Sequence, residues 1–219
     1  MVIIKLLIVL MPWRLKRFFL EKIFHYKIHK TARIGFSFIY PKHLIMEEGA
    51  TIGHLNVAIH LELIHMGKNC TISQKNWITG FPLDNKTFFS DFPNRKPYLI
   101  MKEDSAITKS HIVDCTDIVT IGEFTSIGGY GSQILSHSTS LERNKQSCAP
   151  ITIGHHCFVG TRSIILPGSI LPNHSVLGAG AVLKKQFTEE YALYGGVPAK
   201  FIKKMDETYA FFSRTYRPK

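Results

Sequence analysis

Aliphatic residues recur at a spacing of six along much of the chain. Between residues 151 and 185 this spacing is strict, and its members are Ile153, Val159, Ile165, Leu171, Leu177 and Leu183. Ile121 and Ile127 keep the same spacing, and looser series occupy the earlier part of the chain. A period of six fits neither an amphipathic helix nor the simple alternation of a strand.

We interpret each repeat as a short strand followed by a turn, with one aliphatic side chain directed at a common axis. A glycine often follows that side chain, as at Gly154 and Gly160, and is expected to let the chain bend there. Three repeats would close one triangular coil, and stacked coils would bury a continuous aliphatic column. The sequence therefore predicts an all-β domain built of such coils, and the chain length of 219 residues is ample for one such core.

Two long segments interrupt the repeat, residues 81–98 and residues 131–150. Stacked coils present flat faces, so loops that leave the coils are expected to supply the walls of a pocket. The second segment contains His137 between two serines, in the run GSQILSHSTS. Taken by itself, His137 is better explained as a solvated loop residue, one of 11 histidines in the chain.

The first 29 residues differ in composition from the rest of the chain. Residues 1–30 hold seven Lys or Arg and one Glu, a net charge of +6, and basic residues such as Lys16 alternate with Trp13, Phe18 and Phe19. The apolar run 6–11 is too short to span a bilayer, which takes about 20 residues. We expect an amphipathic helix on an anionic membrane surface, or alternatively a helix whose aromatic side chains pack on the domain or on a neighbouring subunit.

Bulk composition narrows the classes of function. The 45% hydrophobic and 20% charged residues are globular values, and the net charge of +11 predicts attraction to nucleic acid, anionic lipid or a phosphorylated small molecule. No nucleic-acid-binding motif is present and the basic residues lie at the two ends, so we expect no nucleic-acid partner.

The cysteines show no C-x-x-C spacing, which favours a reducing, cytoplasmic compartment over a disulfide framework. His155 and His156 lie at turn positions, and no set of histidines shows a clear metal-ligand spacing in the sequence. We therefore expect no bound metal.

The strict run of repeats and the closing motif GVPAKFIKK, residues 196–204, resemble the hexapeptide-repeat acyltransferases. Within that family the motif looks most like the maltose, galactoside and serine acetyltransferases and the polysaccharide O-acetyltransferases. The resemblance implies a left-handed parallel β-helix, a homotrimer and acetyl-CoA as the acetyl donor. We therefore expect a basic N-terminal amphipathic helix at 1–29, a catalytic β-helix at 30–205, and a tail at 206–219 with a short helix.

The resemblance also singles out His137 as the catalytic residue, because the family places its histidine just before the final repeats. An imidazole can take the proton of a sugar hydroxyl as the oxygen attacks the thioester, so no covalent acyl-enzyme is needed. Asp114, in the run HIVDCTD, resembles a family position near the site and could orient the imidazole. Asp117 and Glu142 are alternatives for that role.

The donor and acceptor sites are also predicted from the resemblance. We expect small residues to permit close approach of the coenzyme at Gly160, Thr161, Ala179 and Gly180. We expect basic residues to neutralise its phosphates at Lys184, Lys185, Lys200 and Lys203. A solvated basic face near the tail is the alternative for the lysines. Asn76 and Trp77 are candidates for the border of the acceptor site, with a buried aromatic on a coil face as the alternative for Trp77.

Three functions are consistent with these features. The first is an O-acetyltransferase that acts on a surface polysaccharide or its lipid-linked precursor, peripherally on the inner face of the cytoplasmic membrane. The second is an acetyltransferase for a soluble small molecule, such as a free sugar, a nucleotide sugar or an antibiotic. The third is a non-catalytic β-helical scaffold at the membrane, which would need neither the histidine loop nor the lysines.

Overall fold

The computed structural model describes residues 2–84 and 87–216; residues 217–219 of the predicted tail and residues 85–86 of the first predicted loop lie outside this range. Three helices flank a body of strands: α1 Val2–Leu10, α2 Trp13–Phe24 and α3 Ala210–Ser213. The predicted N-terminal helix is thus divided in two at Pro12, because proline disfavours a helical conformation in the residue before it. Within the described residues, no helix is long and apolar enough to cross a membrane.

Short strands make up the body, in chain order. The first four coils comprise β1 Lys27–Ile28, β2 Arg33–Ile34, β3 Phe38–Tyr40, β4 His43–Met46, β5 Thr51–Ile52, β6 Val57–Ile59, β7 Leu63–Met66, β8 Thr71–Gln74, β9 Trp77–Thr79, β10 Tyr98–Met101, β11 Ala106–Lys109 and β12 Ile112–Asp114. The rest comprise β13 Val119–Ile121, β14 Ser126–Tyr130, β15 Gln133–Leu135, β16 His137–Ser140, β17 Lys145–Cys148, β18 Ile151–Ile153, β19 Phe158–Val159, β20 Ile164–Ile165, β21 Ile170–Leu171, β22 Val176–Leu177, β23 Val182–Leu183, β24 Ala192–Gly195 and β25 Lys200–Lys204.

These strands form three walls of a prism. The first wall has the order β1-β4-β7-β10-β13-β18-β21, the second β2-β5-β8-β11-β14-β19-β22-β24-β25, and the third β3-β6-β9-β12-β15-β20-β23. Neighbours in a wall pair in parallel, except that β24 pairs antiparallel with β25. Successive strands therefore visit the three walls in turn and wind through seven coils, so the predicted β-helix is confirmed.

The aliphatic repeat forms the core of the prism. Ile153 pairs with Leu171 and Val159 with Leu177, so three repeats of six make one coil of 18 residues. The side chains at these positions are fully buried in one continuous cluster. Each large aliphatic side chain removed from water contributes roughly 1.5–3 kcal/mol, and this term drives the stacking of coils that are individually too small to fold.

The glycines that follow the aliphatic positions have a different role from the predicted one. A Cβ atom on Gly122 would lie 2.4 Å from the carbonyl carbon of Gly154, and one on Gly160 would lie 2.6 Å from the amide nitrogen of Ala179. Neither Gly122 nor Gly160 has a positive φ. The prediction that these glycines permit a bend is therefore wrong; they permit the backbones of adjacent coils to approach each other.

The second interruption of the repeat begins later than predicted. Residues 133–135 form β15 in the third wall, and Ile134 is fully buried opposite Val113 and Ile165. Ile134 follows Ile127 by seven residues instead of six because β14 carries an irregularity in its pairing with β11. The extra residue hid this strand from the spacing analysis.

A ladder of polar side chains runs along the corner between the second and third walls. The side chain of each member accepts the backbone N–H of the next: Asn56 accepts from Asn76 at 2.9 Å, Asn76 from His111 at 2.9 Å, and His111 from Ser132 at 3.1 Å. These residues are buried, so each bond satisfies a backbone donor that water cannot reach.

The ladder makes the stability of the protein depend on pH through His111. Burial lowers the pKa of His111 to about 4, from 6.5. The unfolded chain therefore binds the proton more readily, and the free energy of unfolding should fall by about 2–3 kcal/mol as the pH drops from 6.5 to 4. An Asn at position 111 can still accept the Ser132 N–H but does not titrate. Urea unfolding of wild type and His111→Asn over this pH range should show the extra loss in the wild type alone; equal losses would contradict the prediction.

Candidate active site

The corner between the third and first walls carries every long excursion from the coils. One loop, residues 80–97, joins β9 to β10, and the other, residues 136–150, joins β15 to β18. In the second excursion β16 and β17 form an antiparallel hairpin in which His137 pairs with Cys148. The short turn after β12, which begins at Asp114, lies between the two excursions in the stack. We call residues 80–97 the aromatic loop and residues 136–150 the hairpin.

Asp114 anchors the base of the hairpin and holds the imidazole of His137. Its Oδ2 accepts the backbone N–H of Ser136 at 3.0 Å and of His137 at 3.1 Å, and it lies 2.6 Å from His137 Nδ1. Its Oδ1 accepts the hydroxyl of Thr116 at 2.6 Å, and that hydroxyl also lies 3.3 Å from His137 Nδ1. Several neutral donors and one imidazole thus converge on one buried carboxylate.

The environment keeps Asp114 ionised. Burial is the largest single influence and would raise the pKa of this carboxyl, but hydrogen bonds from His137 and Thr116, with the charge of His137 and a bond from Ser136, outweigh it and lower the pKa below 3.8. An ionised carboxylate can only accept hydrogen bonds, so His137 Nδ1 carries a proton and Nε2 keeps its lone pair. Because the side chain of His137 is 31% exposed, its imidazole can reach a substrate in the cleft.

Aromatic side chains of the loop confine the other side of the imidazole. The rings of Phe81 and Phe89 contact His137 edge to face, with centroids 5.4 and 6.2 Å from its own. Arg95 holds them in place: its buried guanidinium donates to the carbonyls of Phe81 and Thr116 and lies 4.8 Å from the Phe89 ring. The loop is therefore tied to the same turn that carries Asp114.

Cys148 lies opposite His137 in the hairpin but is unsuited to act as a nucleophile. Its thiol is buried, and burial raises its pKa to about 11. A thiol with that pKa is protonated at neutral pH, and a protonated thiol does not attack a thioester. The titratable group poised for chemistry at this corner is the imidazole of His137.

A polar groove of about 220 Å³ opens between the aromatic loop and the hairpin. It is lined from both sides by Thr87, Phe88, Ser90, Asp91, Thr139, Asn144, Lys145 and Gln146. Lys145 Nζ lies 3.1 Å from a carboxylate oxygen of Asp91 and so bridges the two walls. Thr139 is two residues beyond His137 on the same face of the hairpin, so the groove begins about 7 Å from the imidazole.

The structure divides the predicted donor residues between two corners of the prism. The small residues Gly160, Thr161, Ala179 and Gly180 meet at the corner between the second and third walls, in the sixth and seventh coils. Lys200, paired with Gly195 in the strands β25 and β24, is at the same corner, and Lys203 follows along the exposed β25. Lys184 and Lys185 are exposed at the opposite edge of the third wall, after β23. Within one chain the width of the third wall therefore separates the small residues from His137.

The remaining predicted residues also separate. Asn76 is buried in the ladder, and its amide nitrogen donates to Asn56 and Thr108, so it does not reach the cleft. Trp77 is half exposed on the outer face of the third wall, beside Ile112. Asp117 accepts the backbone N–H groups of Lys96 and Ile118, and Glu142 lies exposed at the hairpin tip. Only Asp114 of the three carboxylates contacts His137.

Sequence reasoning missed Thr116, Ser136, Phe81, Phe89 and Arg95. The available signal was the length of the aromatic loop and its density of phenylalanine. The sequence did not show that both excursions leave the same corner of the prism. That inference requires the correct assignment of every coil that precedes them.

Comparison with known proteins agrees with this architecture. The family described as the hexapeptide repeat of succinyl-transferase matches residues 150–185. The match covers only the strict part of the repeat. It is 26% identical over 101 residues to the galactoside O-acetyltransferase of Escherichia coli (strain K12), a match that covers 46% of this chain and 48% of that protein. The chain thus spans about half the length of the curated relative it matches.

Solved structures show the same hexapeptide-repeat fold. A hexapeptide-repeat-containing acetyltransferase from Vibrio cholerae aligns with a TM-score of 0.53 at 22% identity, over 65% of this chain and 74% of that one. An N-acyltransferase from Bacillus cereus, solved with dTDP-4-amino-4,6-dideoxyglucose and coenzyme A, aligns with a TM-score of 0.58 at 16% identity, over 87% and 89% of the two chains. The fold is the left-handed parallel β-helix that the resemblance implied.

Proposed function

We propose that this hexapeptide-repeat protein is an acyl-CoA-dependent O-acetyltransferase that acetylates a sugar hydroxyl of a glycan, with His137 as general base. The observation that carries the proposal is the 2.6 Å contact between His137 Nδ1 and the buried Asp114, which leaves Nε2 as the free nitrogen of a partly exposed imidazole. A scaffold needs no such pair. The related galactoside O-acetyltransferase supports the reaction class.

The proposed reaction is a direct transfer. The acceptor hydroxyl gives its proton to His137 Nε2 as its oxygen forms a bond to the thioester carbonyl carbon, which makes a tetrahedral oxyanion. That intermediate collapses with cleavage of the carbon–sulfur bond, and the imidazolium returns the proton to the departing thiolate of coenzyme A. Asp114 stabilises the imidazolium in between, and the aromatic loop limits access of water.

The donor is proposed to be acetyl-CoA, held at the corner of Gly160, Thr161, Ala179 and Gly180. Gly180 has a φ of +69° and no atom within 4 Å of a built Cβ, so the backbone there is open to a ligand. Lys200 and Lys203 on the exposed β25 are placed to pair with phosphates. The Bacillus cereus neighbour was solved with coenzyme A.

A homotrimer is proposed because it would bring the donor corner of one chain next to His137 of another. The third wall separates the donor corner from His137 in one chain, so a neighbour that presents its donor corner to the His137 corner completes the site. The outer face of that wall carries Trp77 and Ile112, which are 49% and 42% exposed, an apolar surface suited to an interface. Light scattering that finds a monomer at micromolar concentration would contradict this assembly.

A glycan fits the acceptor side better than a small soluble molecule does. The groove beyond His137 offers hydroxyl, amide and carboxylate groups together with the half-exposed ring of Phe88, and this mixture suits the polar edge and apolar face of a sugar. Its distance of about 7 Å from the imidazole fits a sugar unit next to the one being acetylated.

The N-terminal helices support a membrane-bound acceptor. Val2, Ile3 and Leu10 of α1 are 65%, 75% and 71% exposed, although they are aliphatic. The hydroxyl of Tyr40, at the end of β3, donates to the carbonyl of Lys5, so α1 lies at the third–first corner, the one that carries His137. An apolar helix and the cleft along one edge would let a lipid-linked saccharide reach the base.

Some residues of the N-terminal segment that were predicted to contact lipid contact the protein instead. Lys16 is buried, its ammonium donates to the carbonyl of Gly35 at 2.6 Å, and burial lowers its pKa to about 8. Trp13 and Phe19 pack against the core. Phe18 is 53% exposed and remains available to lipid.

We expect the full-length chain to sediment with anionic vesicles at low salt. Leu7→Glu with Leu10→Glu should reduce the bound fraction at least about tenfold, because each leucine removed from the apolar phase costs roughly 1.5–3 kcal/mol. Leu141→Glu, which alters a still more exposed leucine at the hairpin tip, should bind as wild type does. Equal binding by all three proteins would show that α1 is no lipid anchor.

The proposed function is tested with labelled acetyl-CoA and a panel of free sugars, oligosaccharides and lipid-linked saccharides, with mass spectrometry of the products. We expect acetyl esters on oligosaccharide or lipid-linked acceptors, and lower efficiency on free monosaccharides. Efficient transfer to small soluble acceptors alone would favour the second candidate, and no transfer to any acceptor would favour a scaffold.

A further inference from the structure

Three histidines meet at the corner between the first and second walls, away from the proposed active site. His155 and His156 lie in the turn after β18, and His174 lies in the turn after β21. His156 and His174 are 18 residues apart, the length of one coil, so they stack directly. One nitrogen from each of the three lies within 4.8 Å of the others.

Part of this arrangement is explained by an aromatic stack. The rings of Phe124, His156, His174 and Tyr191 follow one another across successive coils, with centroid distances of 4.9, 5.4 and 4.4 Å. Any aromatic side chain would serve in such a stack. The stack does not include His155, whose ring stands at 83° to His156 and 88° to His174 and whose Nδ1 lies at hydrogen-bonding distance, 3.2 Å, from His156 Nδ1.

The hydrogen bonds around the cluster fix which nitrogens are free. His156 Nε2 lies 3.0 Å from the carbonyl oxygen of Arg214, which can only accept, so the lone pair of His156 is on Nδ1. His174 Nδ1 lies 3.3 Å from a carboxylate oxygen of Glu190, which leaves the lone pair of His174 on Nε2. A carbonyl and a carboxylate behind two imidazoles are the outer partners that metal-binding histidines have.

We propose that His155, His156 and His174 form a site for a divalent transition-metal ion of the zinc class. Three neutral imidazoles suit Zn²⁺, Cu²⁺ or Ni²⁺ and not Mg²⁺ or Ca²⁺, which need oxygen ligands. The 3.2 Å between His155 Nδ1 and His156 Nδ1 matches the roughly 3.3 Å between two nitrogen ligands of a tetrahedral ion. Side-chain rotation that closes the remaining gap of up to about 1.5 Å to His174 completes the site.

The ion would have a structural role. His156 and His174 belong to adjacent coils. The Arg214 carbonyl directly follows α3, and Phe212 of that helix packs against Tyr191. An ion at this corner therefore joins the last two coils to the C-terminal segment.

The test uses the full chain, freed of metal by chelator and titrated with Zn²⁺ and, for its visible absorption, Co²⁺. We expect binding of one ion per chain and a Zn²⁺-dependent rise in Tm. His156→Phe and His174→Phe retain the aromatic stack but remove the ligand, so their metal-free Tm should stay near wild type while affinity falls by more than about 100-fold. Glu190→Gln should weaken binding by about 10- to 100-fold.

His43→Ala removes an exposed histidine of the first wall and should bind as wild type does. Absence of binding to the wild type would overturn the proposal. Equal affinity in the two phenylalanine variants would also overturn it, since the ion would then lie elsewhere.

Discussion

Replacement of His137 by alanine is expected to lower kcat of acetyl transfer by roughly 10²- to 10⁴-fold, with little change in the KM for acetyl-CoA. In the proposed reaction the imidazole takes the proton from the acceptor hydroxyl, and Thr116 and Cys148 beside it offer no replacement base at neutral pH. The KM for acetyl-CoA should hold because the substitution leaves the proposed donor corner, with Lys200 and Lys203, unchanged. Steady-state kinetics with an acceptor identified by the labelled acetyl-CoA panel measure both quantities.

Ser138→Ala provides the matched control for this variant. Ser138 is the next residue of the hairpin, and its side chain is exposed on the opposite face, where it contacts Ser147. It should retain nearly full activity, which would show that small changes in the hairpin do not by themselves abolish turnover. If His137→Ala turned over as fast as Ser138→Ala, His137 would not be the base.

The regular part of the fold could be predicted from the sequence because one physical rule governs it. Each coil buries one aliphatic side chain per wall, so a spacing of six in residues 151–185 is sufficient to place three walls. The rule fails where the backbone gains a residue, as before Ile134, since the side chain stays buried although the count changes. It also assigns no role to polar corner residues, so the ladder that takes up Asn76 was not visible.

The candidate site could be predicted only in part for a related reason. His137 stood out because it interrupts the repeat, and Asp114 because of its resemblance to a known position. Their contact depends on β12 and β15 being neighbours in the third wall, which follows from counting coils correctly through both excursions. Arg95 and Phe89 carry no local signal, because what they contact is set by how the aromatic loop returns to the coil.

The assignment of Asp114 as the residue that orients His137 leads to a prediction that separates charge from structure. In Asp114→Asn the amide oxygen can still accept from the Ser136 and His137 backbone N–H groups, and the amide nitrogen can donate to the Thr116 hydroxyl. The hairpin should therefore keep its place. The negative charge beside His137 Nδ1 is lost, and with it the stabilisation of the imidazolium that forms during proton transfer.

We expect Asp114→Asn to lower kcat by roughly 10- to 10³-fold, because a neutral amide stabilises an imidazolium less than a carboxylate does. Asp117→Asn is the control: Asp117 is at the same corner and accepts the Lys96 and Ile118 N–H groups, yet no hydrogen bond joins it to His137 among the described residues. Its kcat should match that of the wild type. Asp114→Asn should also keep a Tm near that of the wild type, because its hydrogen bonds to the hairpin remain. An unchanged kcat, or a fall in kcat that comes with a large fall in Tm, would remove the electrostatic role of this carboxylate.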